Sequence, residues 1–165
     1  MAEVSFRQAH ILPTTLRCGR TLYSAVRMTE PNEQYAYFTV VGDFDPAEIS
    51  SVVGLRPTES WRKGDLNPKT QYERKFSRWS LYSRLDQQRS LEDHMADVLE
   101  QMRVNRVAFC EASARYGGVM QLVAYFKTNY PGGSFGRELV NGLAEFSLGV
   151  DFDFYYLYSA KREDS

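Results

Sequence analysis

Residues suited to binding concentrate in the middle of the chain. Positions 56–84 contain eight Lys or Arg residues against three Asp or Glu, and aromatic residues are interleaved with them. Stacking rings beside cations are typical of surfaces that bind anions, single-stranded nucleic acid or acidic proteins. The alternative is that the rings belong to the core and the cations are solvated. The candidate binding residues in this segment are Arg56, Trp61, Arg62, Lys63 and Tyr72.

A second candidate group lies in the closing segment VDFDFYYLY, which alternates like a strand. Asp151 and Asp153 would share one strand face about 7 Å apart, because two residues of a strand rise by that distance. Such a pair could work in acid–base chemistry or supply oxygens to a divalent ion. A solvated or salt-bridged face, with Arg62 and Lys63 as cation partners, explains the pair equally well. Tyr155 shares this face and could anchor a partner protein.

The usual catalytic constellations are absent from the sequence. It has two histidines, His10 and His94, and no G-x-S-x-G, C-x-x-C or H-E-x-x-H motif. We expect His94 on the surface of a helix and Cys110 inside a strand. The sequence does not establish whether Cys18 and Cys110 meet, and reduced thiols are the simpler interpretation. We therefore expect a non-enzyme and assign no catalytic residue, metal ligand or cofactor.

Composition limits the classes of partner. A net charge of −1 predicts no general attraction to nucleic acid or anionic membranes, and two acidic stretches, at 85–102 and 138–165, follow the basic segment. No apolar run is long enough to span a bilayer, and the first residues do not form a secretory signal. We expect a cytoplasmic protein with a protein partner, no membrane association, and nucleic acid as an improbable ligand. The oligomeric state stays open.

The patterning divides the chain into an N-terminal arm or added edge strand at 1–34, a core domain at 35–158 and a polar tail at 159–165. In the arm, TLYSAVRM predicts a strand, since Leu22, Ser24 and Val26 alternate with Tyr23, Ala25 and Arg27. The run YAYFTVV, starting at Tyr35, predicts a central strand covered on both faces.

Helix signals follow this central strand. Asp45, Pro46 and Gly54 predict the cap, first position and end of a short helix. Ser90 predicts the start of a second helix and Ser134 of a third, which Gly149 ends. VAFCEAS and VMQLVAYF read as a hairpin joined at a Gly-Gly pair. Together these elements predict an α+β two-layer sandwich. It has a five- to six-stranded, mostly antiparallel or mixed sheet with three helices mainly on one face.

One family shares several of these features. The segment FDPAEISSVVGLRPTESWRKGD, then RWSLYS, an amphipathic helix and the closing DFDFYY together resemble the bacterial family of the domain of unknown function 4279, over about residues 37–156. The most specific positions are Phe44-Asp45-Pro46, Gly54, Pro57-Thr58, Trp61, Gly64 and Trp79. The resemblance implies an α+β fold and a bacterial, cytosolic setting. It carries no reaction and no catalytic residues.

Two functional hypotheses remain. The first is a non-enzymatic protein-binding module, one form of which is an immunity-type protein that neutralises a bacterial toxin. An aromatic anchor such as Trp61 or Tyr155 would enter a pocket of the partner, and complementary charge would orient it. The alternative is a sensor of a small anionic ligand or nucleotide. There Arg56, Arg62 and Lys63 would hold the anion while Trp61 stacks on a ring.

Overall fold

The computed structural model describes residues 31–127 and 132–157. TLYSAVRM, His10, Cys18 and the tail at 159–165 therefore lie outside the described residues. The elements in chain order are β1 (Glu33–Gly42), α1 (Pro46–Val53), β2 (Glu59–Trp61), β3 (Ser77–Tyr82), α2 (Leu91–Arg103), α3 (Arg106–Tyr116), β4 (Val119–Phe126), α4 (Arg137–Glu145) and β5 (Gly149–Tyr156).

The five described strands form one mixed sheet in the order β2-β3-β1-β4-β5. Strand β1 is central and pairs antiparallel with β3 and β4, whereas β4 pairs parallel with β5. Alternate strand residues, among them Phe38, Trp79 and Leu122, are fully buried against the helices. The described helices share this one core, so the expected α+β fold is confirmed. The second face of β1 is not covered by a described helix, contrary to the expectation for YAYFTVV.

Local sequence explains the first helix as expected. The Asp45 side chain accepts a hydrogen bond from the backbone N–H of Ala47 at 2.9 Å, and Pro46 occupies the first turn. Gly54 ends the helix with φ of 74°, in the left-handed region that favours glycine. These residues fix where α1 begins and ends, at one corner of the sheet beside β2.

The prediction of a strand at VAFCEAS was wrong, because this segment lies in helix α3. The described residues therefore contain four helices rather than three. Ala108, Phe109 and Ala112 are buried at helical spacing. A short apolar run does not by itself distinguish a strand from a buried helix. Gly117, at φ of 67°, ends this helix and does not form the turn of a hairpin.

Two further expectations are corrected. Helix α4 begins at Arg137 after Gly136, not after Ser134, and it ends before Phe146, so Gly149 opens β5 instead. His94 is fully buried on α2, not exposed, because it faces the core side of that helix. The start of α2 is as expected, since Ser90 Oγ accepts a hydrogen bond from the backbone N–H of Asp93. No helix among residues 31–127 and 132–157 could cross a membrane.

Candidate functional site

The face of the sheet opposite the helices carries a cluster of tyrosines. Side chains alternate between the two faces of a strand, so the burial of Phe38, Trp79 and Leu122 against the helices places the neighbouring positions on the other face. Pairing registers then bring these neighbouring positions side by side across four strands. We name this surface the tyrosine face; it comprises Tyr35, Tyr37, Tyr82, Tyr125 and Tyr155.

The rings of the tyrosine face stack on one another. Tyr37 and Tyr82 pair directly across β1 and β3, with ring centroids 4.4 Å apart and planes 11° apart. Tyr35 lies 5.8 Å from Tyr82 and 6.2 Å from Tyr37, again with nearly parallel planes. On the same face, toward the β5 edge of the sheet, Tyr125 and Tyr155 stack with ring centroids 4.9 Å apart. Mutual stacking holds the rings in fixed orientations before any partner arrives, which lowers the entropy lost on binding.

The hydroxyl groups of Tyr35, Tyr37, Tyr82 and Tyr155 remain protonated at neutral pH, because the pKa of each is raised. Burial is the largest cause that raises the pKa of Tyr35, Tyr37 and Tyr82 above the ordinary value. For Tyr35, a hydrogen bond with Tyr125 adds to the shift. A hydrogen bond with Asp153 is the main cause of the raised pKa of Tyr155. The surface therefore offers neutral phenol groups that can donate or accept hydrogen bonds.

Charge differs between the two ends of the tyrosine face. At the β3 end, the Arg78 guanidinium lies over the rings of Tyr37 and Trp61, at 6.0 and 5.1 Å from the centroids. Glu59 accepts a hydrogen bond from the Tyr82 hydroxyl at 3.3 Å. At the β5 end the same face carries Asp151 and Asp153. A partner of complementary charge would consequently bind in one preferred orientation.

Trp61 lies in the edge strand β2, whereas the sequence suggested that it lies in a loop. Its indole Nε1 donates to the backbone carbonyl of Phe76 at 3.0 Å. The guanidinium of Arg74 sits 3.9 Å above its ring. The ring is half-buried, so Trp61 is neither a core residue nor a free anchor. Contacts within the chain already use its polar atom and one of its ring faces.

The two cations after Trp61 are paired with carboxylates. Arg62 forms an ion pair with Asp45, the cap of α1, and Lys63 Nζ lies 2.5 Å from Asp43. The expected pairing of these cations with Asp151 and Asp153 was wrong, because β2 and β5 are opposite edges of the sheet.

The eight residues singled out from the sequence therefore do not form one site. Arg56, Trp61, Arg62, Lys63 and Tyr72 lie in or near β2 and the segment that joins it to β3, whereas Asp151, Asp153 and Tyr155 lie on β5.

The aspartate pair is exposed. Asp151 and Asp153 lie at alternate positions of β5, an edge strand of which every residue is exposed. An exposed carboxylate is solvated, which gives it little of the desolvation that tunes catalytic acids. Among the described residues, no group of three or more His, Cys, Asp or Glu side chains is placed to hold a metal ion. The geometry thus gives this pair a role in surface charge.

A buried polar cluster between β3 and α2 was missed by the sequence reasoning. Asp97 accepts hydrogen bonds from the backbone N–H and Nε of Arg84, at 2.8 and 3.0 Å. Burial alone would raise the pKa of Asp97, but its bonds with Arg84 lower it overall. His94 Nδ1 lies 2.9 Å from Ser83 Oγ, and burial lowers its pKa so that the ring is neutral. The contacts connect α2 to the chain just after β3.

The tyrosines of the open face also escaped the sequence reasoning, apart from Tyr155. Their signal was the alternation of Tyr35 and Tyr37 with Ala36 and Phe38 in YAYFTVV. That alternation places the tyrosines on one face of the strand and Ala36 and Phe38 on the other. The prediction of a strand covered on both faces overlooks this alternation.

The chain was compared with curated proteins, with solved structures and with protein families. Neither the search of the curated proteins nor the search of the solved structures returned a match. The sequence profile of the family described as Domain of unknown function (DUF4279) matches residues 32–157, which include every described strand and helix. The expected resemblance is thereby confirmed, and the chain belongs to the DUF4279 family.

Proposed function

We propose that this chain is a non-enzymatic protein-binding module that contacts its partner through the tyrosine face. The observation that supports this proposal is that the half-buried rings of Tyr35 and Tyr82 stack on the buried ring of Tyr37, on a sheet face that no described helix covers. Tyrosine, tryptophan and arginine are the residue types most enriched at binding hot spots. Arg78 and Trp61 continue the surface on one side, and Tyr155 continues it on the other.

The organisation of the surface favours a protein over a small molecule. The rings lie side by side across several strands, which suits a broad contact better than an enclosed ligand pocket. Arg78 stands beside Glu59 at the β3 end, whereas Asp151 and Asp153 stand together at the β5 end, so a partner with a basic patch facing β5 would be oriented during encounter. We propose a cytoplasmic, bacterial setting for this interaction, and neutralisation of a toxin as its most specific form.

The experiment is capture of a partner by the immobilised protein from a lysate of the source organism, followed by calorimetry with the purified partner. We expect Tyr155→Ser to weaken the measured affinity about 30-fold, the loss for a hot spot worth 2 kcal/mol. Tyr72→Ser is the matched control, since Tyr72 is 78% exposed and lies outside the tyrosine face. Equal affinities for the two variants would rule out the tyrosine face as the binding surface.

The toxin-neutralising form has its own test. Where the captured protein kills cells when expressed alone, co-expression of this chain should restore growth, and co-expression of the Tyr155→Ser variant should restore it less. If the captured protein is not toxic, the binding-module proposal is retained and the immunity role is excluded.

A sensor of a small anionic ligand or nucleotide is the alternative proposal. A groove of about 380 Å³ beside Trp61 includes Arg62 and the first residues of α1. Arg62 must leave Asp45 to bind an anion, so this proposal has less support. Thermal-shift measurements with ATP, GTP and inorganic phosphate test it. A stabilisation that Arg62→Ala abolishes would support the sensor, and no stabilisation by any of the three would count against it.

A further inference from the structure

Guanidinium groups already stack on aromatic rings at the β3 end of the tyrosine face. The guanidinium of Arg74 lies 3.9 Å above the ring of Trp61, and that of Arg78 lies 5.1 Å from the same centroid. Arg78 also lies 6.0 Å from the centroid of the Tyr37 ring. Arginine is the cation that stacks most often on aromatic rings, because its planar group is weakly hydrated. The chain itself therefore supplies the cations at this end of the surface.

The β5 end has rings and carboxylates but lacks such a cation. Tyr125 stacks on the side of the Tyr155 ring that faces β4, and Tyr155 is still 42% exposed. Asp151 and Asp153 are exposed on the same strand. Within residues 31–127 and 132–157, no Lys or Arg lies over the ring of Tyr155, and neither aspartate forms an ion pair. This end is consequently aromatic and negatively charged.

Strand order explains why the described cations do not reach β5. Three strand spacings of about 4.8 Å separate β3 from β5, so Arg78 lies roughly 14 Å from that strand. An arginine side chain does not extend so far. Lys127, just after β4, is closer, but its Nζ forms an ion pair with Glu33 at 2.5 Å. A cation that neutralises the β5 end must therefore come from a bound molecule.

We propose that the partner bound at the tyrosine face supplies an arginine, which stacks on the exposed side of the Tyr155 ring and forms ion pairs with Asp151 and Asp153. The inference rests on the proposed function and adds the chemistry of the partner at this end. Complementary charge is the reason for the assignment, since the partner brings the one group that the β5 end lacks and the β3 end has.

Arginine suits this end better than lysine does. A guanidinium can lie flat on a ring and at the same time donate hydrogen bonds in its plane to a carboxylate. Asp153 accepts a hydrogen bond from the Tyr155 hydroxyl, so this ring and this carboxylate lie within reach of one planar group. An ammonium is a compact, strongly hydrated charge and loses more hydration on a ring.

Titration of the full chain with a short peptide, followed by NMR of the tyrosine rings, tests the inference without the partner. The probe is Ac-Arg-Ala-Arg-amide, because alternate residues of an extended peptide are about 7 Å apart, as are Asp151 and Asp153 on β5. We expect a saturable shift of the Tyr155 ring signals. The lysine peptide should bind about threefold more weakly. The citrulline peptide, which keeps the shape of arginine without its charge, should cause no shift.

Substitution of the two aspartates locates the binding site. Asp151→Asn combined with Asp153→Asn should weaken peptide binding about fivefold, the loss for two exposed ion pairs. Glu111→Gln combined with Glu138→Gln is the matched control. It removes the same charge from exposed positions of α3 and α4, outside the tyrosine face, and should leave binding unchanged.

Three results would overturn the inference. The first is a Tyr155 ring that does not shift with the arginine peptide. The second is equal weakening in the two double variants, which would show that the peptide responds only to net charge. The third is equal affinity of the arginine and lysine peptides, which would remove the role of stacking.

Measurements with the purified partner separate this inference from the proposed function. A partner that loses affinity in Tyr155→Ser but not in Asp151→Asn combined with Asp153→Asn would retain the tyrosine face as the binding surface and overturn the arginine contact. A partner whose affinity Tyr155→Ser does not change would instead overturn the proposed function itself.

Discussion

The rings of Tyr37 and Tyr82 stack across two strands, with centroids 4.4 Å apart and an angle of 11° between their planes. The two residues are direct partners in the antiparallel register of β1 and β3. The pair thus joins two roles on one surface. It stabilises the pairing of β3 with the central strand, and it fixes the orientation of the rings that we propose to meet a partner.

The first prediction concerns the energy of this pair. Tyr82→Ser should lower the free energy of unfolding by about 1–2 kcal/mol, because it removes a cross-strand aromatic contact and half-buried ring area. In a double-mutant cycle with Tyr37→Ser, urea unfolding should give a coupling of about 0.5–1.5 kcal/mol. Tyr72→Ser should change stability by less than about 0.5 kcal/mol. A coupling of zero would show that the rings lie side by side without mutual stabilisation.

The second prediction separates the two roles of Asp45, which caps α1 and pairs with Arg62. Asp45→Ala should cost about 1 kcal/mol of unfolding free energy, since it removes the cap. Asp45→Asn should retain most of this stability, because asparagine caps a helix equally well without the charge. Arg62→Ala should cost less than about 0.5 kcal/mol, as expected for an exposed ion pair. Chemical denaturation of the three variants provides the comparison. A larger loss in Asp45→Asn than in Asp45→Ala would contradict it.

Local signals in the sequence predicted much of the fold. The cap at Asp45, the stop at Gly54 and the apolar stripe of α2 each depend on residues close in sequence, and the structure has all three. The failure at α3 has a physical reason. The run VAFCEAS mixes residues that favour strands, such as Val and Phe, with Ala and Glu, which favour helices, so local propensity does not decide between them. In the folded chain the segment packs beneath the sheet as a helix, through Phe109 against Phe38 and Trp79.

The candidate site was less predictable than the fold. Nothing near Tyr82 in the sequence indicates that it stacks on Tyr37, because strand order decides which rings meet. Strand order also explains why the eight candidate residues do not form one site. The charge pattern alone suggested that Arg62 and Lys63 pair with Asp151 and Asp153. Strand order puts them at opposite edges.

The third prediction concerns the buried indole of Trp79. Its Nε1 donates to Ser50 Oγ at 2.9 Å, and Ser50 donates in turn to the carbonyl of Pro46 at 3.0 Å. Ser50→Ala should lower the free energy of unfolding by about 1–3 kcal/mol, because it leaves a buried N–H without an acceptor. Ser51→Ala is the matched control, since Ser51 is exposed on the same helix.

Thermal and urea unfolding measure this difference. The Ser50 substitution should also shift the fluorescence of Trp79, whereas the Ser51 substitution should not. Equal stability of the two variants would mean that another acceptor replaces Ser50.

The fourth prediction concerns the pH dependence of stability. Burial lowers the pKa of His94 in the folded chain, with smaller opposing contributions from Asp93 and Asp97. The unfolded chain therefore binds a proton near pH 6.5 that the folded chain does not, so stability falls as pH decreases from 7 toward 5. The slope for one proton is at most about 1.4 kcal/mol per pH unit. Asp97, whose pKa is also lowered, adds its loss mainly below pH 5, because an unfolded aspartate titrates near 3.9.

Urea unfolding at several pH values between 5 and 7 measures this slope. His94→Gln removes the titrating group and keeps a polar side chain within reach of Ser83, so its stability should be nearly independent of pH in this range. His10→Gln is the control and should retain the slope of the unaltered chain. A slope that persists in His94→Gln would show that a different group takes up the proton. A steeper slope with His94 present than without it assigns the linkage to the buried ring of His94, which lies against Ser83 between α2 and the end of β3.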